Sequence, residues 1–266
     1  MDILSAVILV TILGAIGGGI LVAATKFMEV KEDPRIAEVT EVLAGANCGG
    51  CGYAGCADYA KAVVAGAAPC DLCAPAGPAC TAAIGKIMGV EATAGAAKKA
   101  FVGCQGTTDH CKGLYGYTGV QSCAAASKLY GGPKACDFAC LGFGDCAKVC
   151  KFGAISTESG VAVIDPDKCT GCGACKTACP KHVIFMSTDL TKPVVMCSNH
   201  NKGAAAMKQC NTACIACGLC ERNCPEGAIK VIDFVARIDY AKCTGCGICM
   251  TKCPKKIIDF PLTNEM

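Results

Sequence analysis

The sequence CTGCGACKTACP, residues 169–180, places four cysteines in one short run that ends on a proline. The same spacing recurs in CIACGLCERNCP, residues 214–225, and in CTGCGICMTKCP, residues 243–254. Two residues separate each of the first three cysteines, and three residues separate the third from the fourth. The chain has 27 cysteines, an odd number, so complete disulfide pairing would leave one thiol over. The repeated short spacing instead indicates a set of metal ligands.

Thiolates are soft ligands that select zinc, copper(I) or iron–sulfur clusters. Zinc sites usually pair two CxxC motifs across a longer gap, whereas the spacing found here is typical of bacterial ferredoxins. In two-cluster ferredoxins the first three cysteines hold one cluster, and the fourth ligates the other cluster. Each run is therefore expected to serve two sites. The segments 136–187 and 214–262 resemble 2[4Fe–4S] ferredoxins.

The resemblance implies four ligand sets. In the second module they are Cys214, Cys217, Cys220 and Cys253, and Cys243, Cys246, Cys249 and Cys224. In the first module they are Cys169, Cys172, Cys175 and Cys150, and Cys136, Cys140, Cys146 and Cys179. The last set departs from the pattern, because CDFACLGFGDCAKVC, residues 136–150, has wider gaps and is followed by Lys151 instead of proline. The loop that carries Cys136 and Cys140 is therefore expected to bulge.

The two modules are copies of one unit, because the spacing from Cys150 to Cys169 recurs from Cys224 to Cys243. The runs VAVID, residues 161–165, and VARID, residues 235–239, predict short strands between cluster loops. The predicted fold class is α+β, with an N-terminal transmembrane helix, a small Fe–S domain and two tandem bacterial-type 2[4Fe–4S] ferredoxin modules. The predicted boundaries are 1–26 for the anchor, 27–90 for the N-terminal 4Fe-4S domain, 91–135 for a linker and cysteine-containing connector, 136–190 for the first module, 191–213 for a connector and 214–266 for the second module.

Residues 3–25, ILSAVILVTILGAIGGGILVAAT, carry no charge and are numerous enough to cross a bilayer as a helix. No Lys or Arg precedes them, which favours a retained anchor over a cleaved signal peptide or a buried helix. Lys26, Lys31 and Arg35 follow, so the positive-inside rule predicts a single pass through the cell (inner) membrane with the cysteine-rich domains in the cytoplasm. Reduced thiols agree with that compartment.

The N-terminal motif CGGCGYAGC, residues 48–56, supplies Cys48, Cys51 and Cys56, and a fourth ligand must come from Cys70, Cys73 or Cys80. The stretch from GANCGGCGYAGCADYA to CAPAG resembles the Fe–S domain of the Rnf complex B subunits, a family in which the last cysteine matches Cys73. The resemblance continues through EDPR at residues 32–35, YGGPKACDFACLGFGDC at 130–146 and the ferredoxin modules. The chain is therefore identified as a member of that family.

This resemblance implies a membrane-anchored electron-transfer subunit with [4Fe–4S] clusters. In Rnf-type complexes electrons pass between reduced ferredoxin and NAD⁺, and partner subunits translocate Na⁺ or H⁺. The expected partners are the other membrane and peripheral subunits and soluble ferredoxin. No catalytic residue is predicted in this chain. Gly50, Gly52 and Gly55 match GxGxxG only formally, because no strand leads into them. The net charge of +3 and the lack of a basic tract interleaved with aromatic residues give no indication of nucleic-acid binding.

Three other functions agree with parts of the sequence. The electron-transfer subunit of another membrane oxidoreductase, such as a formate dehydrogenase, would also carry tandem ferredoxin modules, but the CGGCGYAGC domain argues against it. An iron–sulfur redox sensor would need a DNA-binding or signalling module, and none is visible in the sequence. A zinc or disulfide scaffold does not account for the repeated ferredoxin spacing.

Five clusters leave seven cysteines without a role: Cys70, Cys80, Cys104, Cys111, Cys123, Cys197 and Cys210. Cys104 and Cys123 precede the first module, and Cys197 and Cys210 lie between the modules. A sixth cluster could therefore be held by Cys104, Cys123, Cys197 and Cys210. The alternative, that these cysteines are small buried apolar residues, stays open at this stage.

Overall fold

The computed structural model describes residues 3–27, 33–93, 95, 98–189 and 191–261. Lys31 and residues 262–266, which entered the sequence predictions, lie outside the described residues. The helices are α1 (Ile3–Phe27), α2 (Pro34–Val42), α3 (Cys56–Val64), α4 (Gly77–Met88), α5 (Cys123–Ser127), α6 (Asp145–Val149), α7 (Ala174–Ala178), α8 (Gly203–Gln209), α9 (Leu219–Arg222) and α10 (Ile248–Lys252). The strands are β1 (Lys99–Val102), β2 (Ile155–Ser156), β3 (Val163–Ile164), β4 (Ile184–Ser187), β5 (Val194–Val195), β6 (Ile229–Ile232), β7 (Val235–Ile238) and β8 (Ile258–Asp259). This mixture of helix and sheet agrees with the predicted α+β class.

The apolar helix α1 stands apart from the rest of the protein. Its segment Val7–Ala24 is long and apolar enough to span a membrane, and none of it is buried against other residues. Side chains such as Leu9, Val10 and Leu21 are more than half exposed. An apolar surface of this extent requires an apolar partner, and a bilayer is compatible with its length.

The N-terminal domain is built from α2, α3 and α4, which pack around a small apolar core. Val39, Tyr59, Val63 and Ile84 are buried there, together with the Cys80 thiol. The Asp33 carboxylate accepts the Arg35 backbone N–H at 2.9 Å, a hydrogen bond that caps the start of α2. α4 ends at Met88, and the Gly89 that caps it adopts the left-handed conformation.

The two ferredoxin modules share one architecture. In the first module β2 pairs with β3, and in the second module β6 pairs with β7, in each case antiparallel. The final strand of each module pairs with a strand from the segment that precedes it, so β1 pairs with β4 and β5 pairs with β8. The sequence prediction treated those preceding segments as connectors, but the strands β1 and β5 within them belong to the module sheets.

The two connectors also contact each other. Cys111 and Cys210 form an isolated antiparallel β-bridge, and the Lys112 N–H donates to the Gln209 carbonyl oxygen at 3.1 Å. The Ser198 hydroxyl donates to the Gly103 carbonyl oxygen at 2.9 Å. These contacts fix the segment after β1 against the segment after β5, and they bring cysteines from both connectors close together.

An aromatic and aliphatic cluster packs the modules side by side. Phe101 of β1 stacks on Phe185 of β4, with ring centroids 5.6 Å apart. Val194 and Met196, from the connector that leads into the second module, are buried against this pair. The Arg237 guanidinium of β7 lies 5.8 Å from the centroid of the Phe185 ring, within the range of a cation–π contact. The first module therefore contacts both β5 and β7.

The N-terminal domain contacts the first module through the loop of its cysteine motif. A Cβ atom on Gly50 would collide with the carbonyl oxygen of Cys172, so the two loops touch at their backbones. The φ angle of Gly50 lies outside the left-handed region, and only the lack of space makes glycine necessary there. Cys48 and Cys172 therefore lie on either side of a direct contact between loops.

Replacing Gly50 by alanine is expected to weaken this contact, because forcing a methyl group into a filled space typically costs about 1–3 kcal/mol. We expect the Gly50→Ala protein to be cut faster by protease in the segment 91–98, which joins the two domains. Gly116→Ala is a matched control, because no atom lies within 4 Å of the added methyl group. Equal cleavage rates for the Gly50→Ala protein and the unmodified protein would contradict the contact.

Candidate iron–sulfur sites

The second module contains two cavities that are lined by sulfur. One cavity, of about 340 Å³, is lined by Cys214, Cys217, Cys220 and Cys253, with Ile215, Val231 and Ile257 among its apolar walls. The other, of about 350 Å³, is lined by Cys224, Cys243, Cys246 and Cys249. The last cysteine of each run therefore faces the cavity formed by the other run. This is the crossed arrangement that the ferredoxin spacing predicts.

The first module repeats this arrangement at one cavity of about 330 Å³, which is lined by Cys150, Cys169, Cys172 and Cys175. Burial is the main reason that the pKa of Cys175 is raised to about 11, and the nearby sulfurs of Cys169 and Cys172 add to it. The hydroxyl oxygen of Thr170 is buried beside the same cavity without a hydrogen-bond partner among the described residues. The sulfide or thiolate of a cluster would provide an acceptor for it.

In the first module the sulfurs of Cys140 and Cys179 lie near Cys146, and Cys123, which the sequence grouped with the sixth cluster, also lies beside Cys146. Burial is the main reason that the pKa of Cys146 is raised to about 12, and the sulfurs of Cys140, Cys123 and Cys179 add to it. The Asp145 carboxylate accepts hydrogen bonds from the Ser122 hydroxyl at 2.8 Å and from the Ala124 N–H at 2.9 Å. These two hydrogen bonds hold Cys123, at the start of α5, against the helix that carries Cys146.

The N-terminal domain arranges its cysteines around the start of α3. The Asn47 side-chain oxygen accepts the Cys56 N–H at 2.8 Å and so fixes the loop that precedes the helix. The Tyr59 hydroxyl donates to the Pro69 carbonyl oxygen at 2.7 Å and accepts the Leu72 N–H at 3.3 Å. Its pKa is raised, chiefly by burial. This tyrosine therefore holds the loop that leads into Cys73.

Cys73, the expected fourth ligand of this domain, lies near the sulfurs of Cys80 and Cys56. Burial is the main reason that the pKa of Cys80 is raised to about 11, and the neighbouring Cys73 and Cys56 sulfurs also contribute. Cys73 therefore lies on the same side of the domain core as Cys56. For Cys70 the causes of a raised pKa are burial and the Asp71 carboxylate, without a contribution from the motif cysteines.

A further cavity, of about 290 Å³, lies where the two connectors meet. Five cysteines line it: Cys104, Cys111, Cys136, Cys197 and Cys210. Three of the four cysteines that we grouped for a sixth cluster come together here, and the fourth, Cys123, lies beside Cys146 instead. Sequence reasoning did not associate Cys111 or Cys136 with this group. One feature of the sequence could have indicated that Cys136 belongs to this group. The unusual gap between Cys136 and Cys140 separates Cys136 from the ferredoxin run.

Cys111 and Cys210 are neighbours at one side of this cavity, where their backbones form a β-bridge. The hydrogen bond between their sulfurs is the main reason that the pKa of Cys111 is raised and that of Cys210 is lowered. Thr212 also approaches the Cys210 sulfur, with its hydroxyl oxygen 3.3 Å away.

The geometry of these cysteines fits clusters better than single ions. Every cysteine of the chain is a free thiol. Within the described residues, no group of three or more His, Cys, Asp or Glu side chains converges closely enough to hold one metal ion. A zinc site would require four sulfurs about 2.3 Å from a single centre. Here the sulfurs surround cavities, as they would around a compact group of several metal and sulfide atoms.

Three family models match the chain in the regions just described. A model described as "Putative Fe-S cluster" matches residues 43–75. A "4Fe-4S binding domain" matches residues 162–185, and a "4Fe-4S dicluster domain" matches residues 213–257. These matches confirm the predicted Fe–S domain and ferredoxin modules, and they support [4Fe–4S] clusters as the bound groups.

Curated relatives match most of the chain, and each is named as the B subunit of a complex. The chain is 42% identical over 231 residues to the B subunit of the ion-translocating oxidoreductase complex of Methanosarcina acetivorans, a match that covers 86% of this chain and 88% of the relative. It is 44% identical over 232 residues to the B subunit of the Na(+)-translocating ferredoxin:NAD(+) oxidoreductase complex of Acetobacterium woodii, a match that covers 87% of this chain and 70% of the relative. It is 41% identical over 234 residues to the B subunit of the proton-translocating ferredoxin:NAD(+) oxidoreductase complex of Clostridium ljungdahlii, a match that covers 87% of this chain and 82% of the relative.

The matches to these relatives extend over most of the described chain, including its iron–sulfur domains, and they confirm the resemblance predicted from the sequence. The cysteine-lined cavities fit the role of electron transfer within an oxidoreductase complex. The chain therefore belongs to the family of B subunits of Rnf-type, ion-translocating oxidoreductase complexes.

Proposed function

We propose that this chain relays electrons through a series of [4Fe–4S] clusters between reduced ferredoxin and the NAD⁺-reducing part of an Rnf-type complex, whose partner subunits translocate Na⁺ or H⁺. The observation that carries the proposal is the crossed cysteine arrangement, in which the fourth cysteine of one run faces the cavity of the other. It supports two closely spaced clusters in one module. Two closely spaced redox centres favour transfer between them over storage at one.

The ligand sets that we propose follow the cysteine motif in the N-terminal domain and three of the cavities in the ferredoxin modules. They are Cys48, Cys51, Cys56 and Cys73; Cys150, Cys169, Cys172 and Cys175; Cys214, Cys217, Cys220 and Cys253; and Cys224, Cys243, Cys246 and Cys249. A further cluster is held by Cys140, Cys146 and Cys179 with a fourth cysteine, for which the sequence indicated Cys136. When bound, each cluster supplies one-electron redox chemistry.

The chain's own contribution is to hold and shield the sulfurs. The Ala228 N–H donates to the Cys224 sulfur at 3.3 Å, and the Ala162 N–H donates to the Cys140 sulfur at 3.4 Å. Such hydrogen bonds stabilise negative charge on a thiolate and raise the reduction potential of the cluster that it ligates. Apolar side chains such as Ile257 and Ile258, which are almost fully buried, keep water away from the second module.

The contacts between domains suggest where electrons enter and leave. The N-terminal site is adjacent to the site of the first module, because the Gly50 loop touches Cys172. In the second module, Cys246 is the most exposed cysteine among the described residues. We infer that the cluster on Cys243, Cys246 and Cys249 exchanges electrons with a soluble partner, and that the N-terminal domain faces the membrane subunits.

The membrane anchor supports the assignment of electron transfer to this chain and of ion translocation to partner subunits. Val7–Ala24 contains no ionisable residue, so it offers no path for an ion. Ion translocation is therefore assigned to other subunits. The choice between Na⁺ and H⁺ stays open, because relatives of nearly equal identity are named for each ion. The orientation with the iron–sulfur domains in the cytoplasm follows from the positive charges after the anchor.

The function is tested by anaerobic purification of the complex from membranes. We expect the full chain to copurify with other membrane subunits and with ferredoxin-dependent NAD⁺ reduction. A chain without residues 1–26 is expected to be soluble and brown and to retain its iron, because α1 packs against no other part of the described protein. A complex that reduces NAD⁺ from ferredoxin equally well after the gene for this chain is deleted would contradict the proposal.

Crossed ligation predicts how double substitutions combine. Cys224 and Cys246 should serve one cluster, so the Cys224→Ala/Cys246→Ala protein should lose about four irons, as either single variant does. Cys224 and Cys217 should serve different clusters, so Cys224→Ala/Cys217→Ala should lose about eight irons. Iron and sulfide analysis of anaerobically purified protein measures both losses. The reverse pattern would show that Cys224 ligates the cluster of its own run.

Positive charge around the last run is expected to speed the encounter with ferredoxin, which is typically acidic. Lys242, Lys252 and Lys256 are exposed there. Reversing all three to glutamate should lower the ferredoxin-dependent rate at low salt and flatten its dependence on ionic strength. Lys86, Lys112 and Lys128 are exposed in other parts of the protein, and reversing them changes the net charge equally. Equal rates for the two triple variants at low salt would exclude a specific docking surface.

A further inference from the structure

We propose that Cys104, Cys136, Cys197 and Cys210 hold an additional [4Fe–4S] cluster between the two ferredoxin modules, and that Cys123 takes the place of Cys136 in the first module. The cluster would lie in the cavity between the connectors. The role of this cluster in electron transfer rests on the proposed function. The site differs from the group predicted from the sequence by the exchange of one cysteine.

A shared relation to the backbone distinguishes these four cysteines among the five that line the cavity. The Gly106 N–H donates to the Cys104 sulfur at 3.3 Å. The backbone N–H groups of Phe138, Asn199 and Thr212, each two residues after a cysteine, approach the sulfurs of Cys136, Cys197 and Cys210 and stabilise their thiolates. The same relation joins Cys140 to Gly142 and Cys172 to Ala174 in the ferredoxin loops. The Cys111 sulfur is approached instead by the Cys136 N–H and by the Cys210 side chain. Cys111 is therefore a neighbour of the site and not a ligand.

A buried positive charge lies beside the cavity, in contact with the lining residue Gly106. Lys134 is buried, and its ammonium group donates to the carbonyl oxygens of Gly106 and Gly160, each at 2.6 Å. In the described part of the chain, none of the ion pairs involves Lys134. A buried cation without a negative partner is unfavourable. A cluster with four thiolates carries net negative charge, and it would offset the charge of Lys134.

The site is connected to the neighbouring sites on both sides. The N–H of Cys140, from the first module, donates to the Cys104 sulfur at 3.4 Å. The N–H of Cys214, from the second module, donates to the Cys197 sulfur at 3.3 Å. The Asn199 side-chain amide donates to the Cys136 sulfur at 3.3 Å. A cluster here would thus be one hydrogen bond away from a ligand of each module.

The exchange of Cys123 for Cys136 completes both ligand sets. The hydrogen bonds from Ser122 and Ala124 to Asp145 hold Cys123 beside Cys146. Cys136 packs with Cys111 and Cys210 in a separate buried cluster, whereas Cys140, Cys146 and Cys179 belong to the core of the first module. Each cluster then has four cysteines, and only Cys70, Cys80 and Cys111 are left without a cluster.

The additional cluster would join the two modules into one electron path. It would accept one electron from a reduced cluster in one module and donate that electron to an oxidised cluster in the other. Without it, the protein between the modules consists of the apolar contact around Phe101 and Phe185 and the cysteines of the cavity, and it offers no redox centre. The connectors are therefore part of the path.

The iron content of the full chain is the first test, because it needs no variant. Six clusters predict about 24 irons and about 24 sulfides per chain, and five predict about 20 of each. The protein must be purified anaerobically, and its concentration must be determined by amino-acid analysis. A fully loaded chain that contains only about 20 irons would overturn the proposal.

Double substitutions test the grouping. If Cys136 and Cys210 share a cluster, Cys136→Ser/Cys210→Ser loses no more iron than either single variant, about four atoms. Cys136→Ser/Cys146→Ser should then lose about eight, and Cys123→Ser/Cys146→Ser about four. The grouping predicted from the sequence requires the opposite result for the last two proteins. Cys111→Ser is the matched control and should retain all iron.

A variant that keeps every cysteine provides a second readout. Lys134→Met removes the buried positive charge, so the EPR signal that is lost in Cys136→Ser/Cys210→Ser should titrate at a lower potential while the iron content stays unchanged. An unchanged potential for that signal would overturn the assignment. These measurements do not depend on ferredoxin or NAD⁺. Loss of ferredoxin-dependent NAD⁺ reduction in Cys136→Ser/Cys210→Ser, with the other clusters still reducible by dithionite, tests the role in the path separately.

Discussion

The ligation of iron–sulfur clusters by cysteine thiolates is the interaction on which the rest of this structure depends. The chain has no tryptophan and few other aromatic residues, and the cores of both modules consist largely of cysteine, alanine and short aliphatic side chains. Cores of this size bury little apolar area and usually need another source of stability. Because the ligands come from both ends of each module, cluster binding ties distant segments together, and folding and metal binding are coupled.

The same constraint explains the backbone of the cluster loops. Gly173 precedes α7 and Gly247 precedes α10, and both adopt the left-handed conformation that lets the chain turn from a cysteine pair into a helix. The following helix is only five residues long in each module, and it presents Cys175 or Cys249 to the cavity. Short helices of this kind are marginal in isolation. Ligation of a cluster at the start of each helix supplies the stability that so short a helix lacks on its own.

The sequence was most informative where the ligands lie close together. The runs at Cys169, Cys214 and Cys243 predicted the groups that line three cavities, because the spacing of a run fixes which sulfurs can face one cluster. It was least informative for Cys123 and Cys136. Their positions depend on the hydrogen bonds between Asp145 and the 122–124 segment, and on the β-bridge between Cys111 and Cys210, and no short motif encodes contacts over such distances. The pairing of β1 with β4 was missed for the same reason.

The connectors illustrate how one segment serves both packing and chemistry. β1 and β5 extend the sheets of the two modules, and the residues that follow each strand carry Cys104 and Cys197 into the same cavity. Strand pairing therefore fixes the position of these sulfurs relative to the clusters on each side. Electron transfer requires such fixed distances, whereas a flexible linker would let the modules separate. With the additional cluster that we propose, two ferredoxin modules joined in this way form one electron path, and the joint belongs to that path.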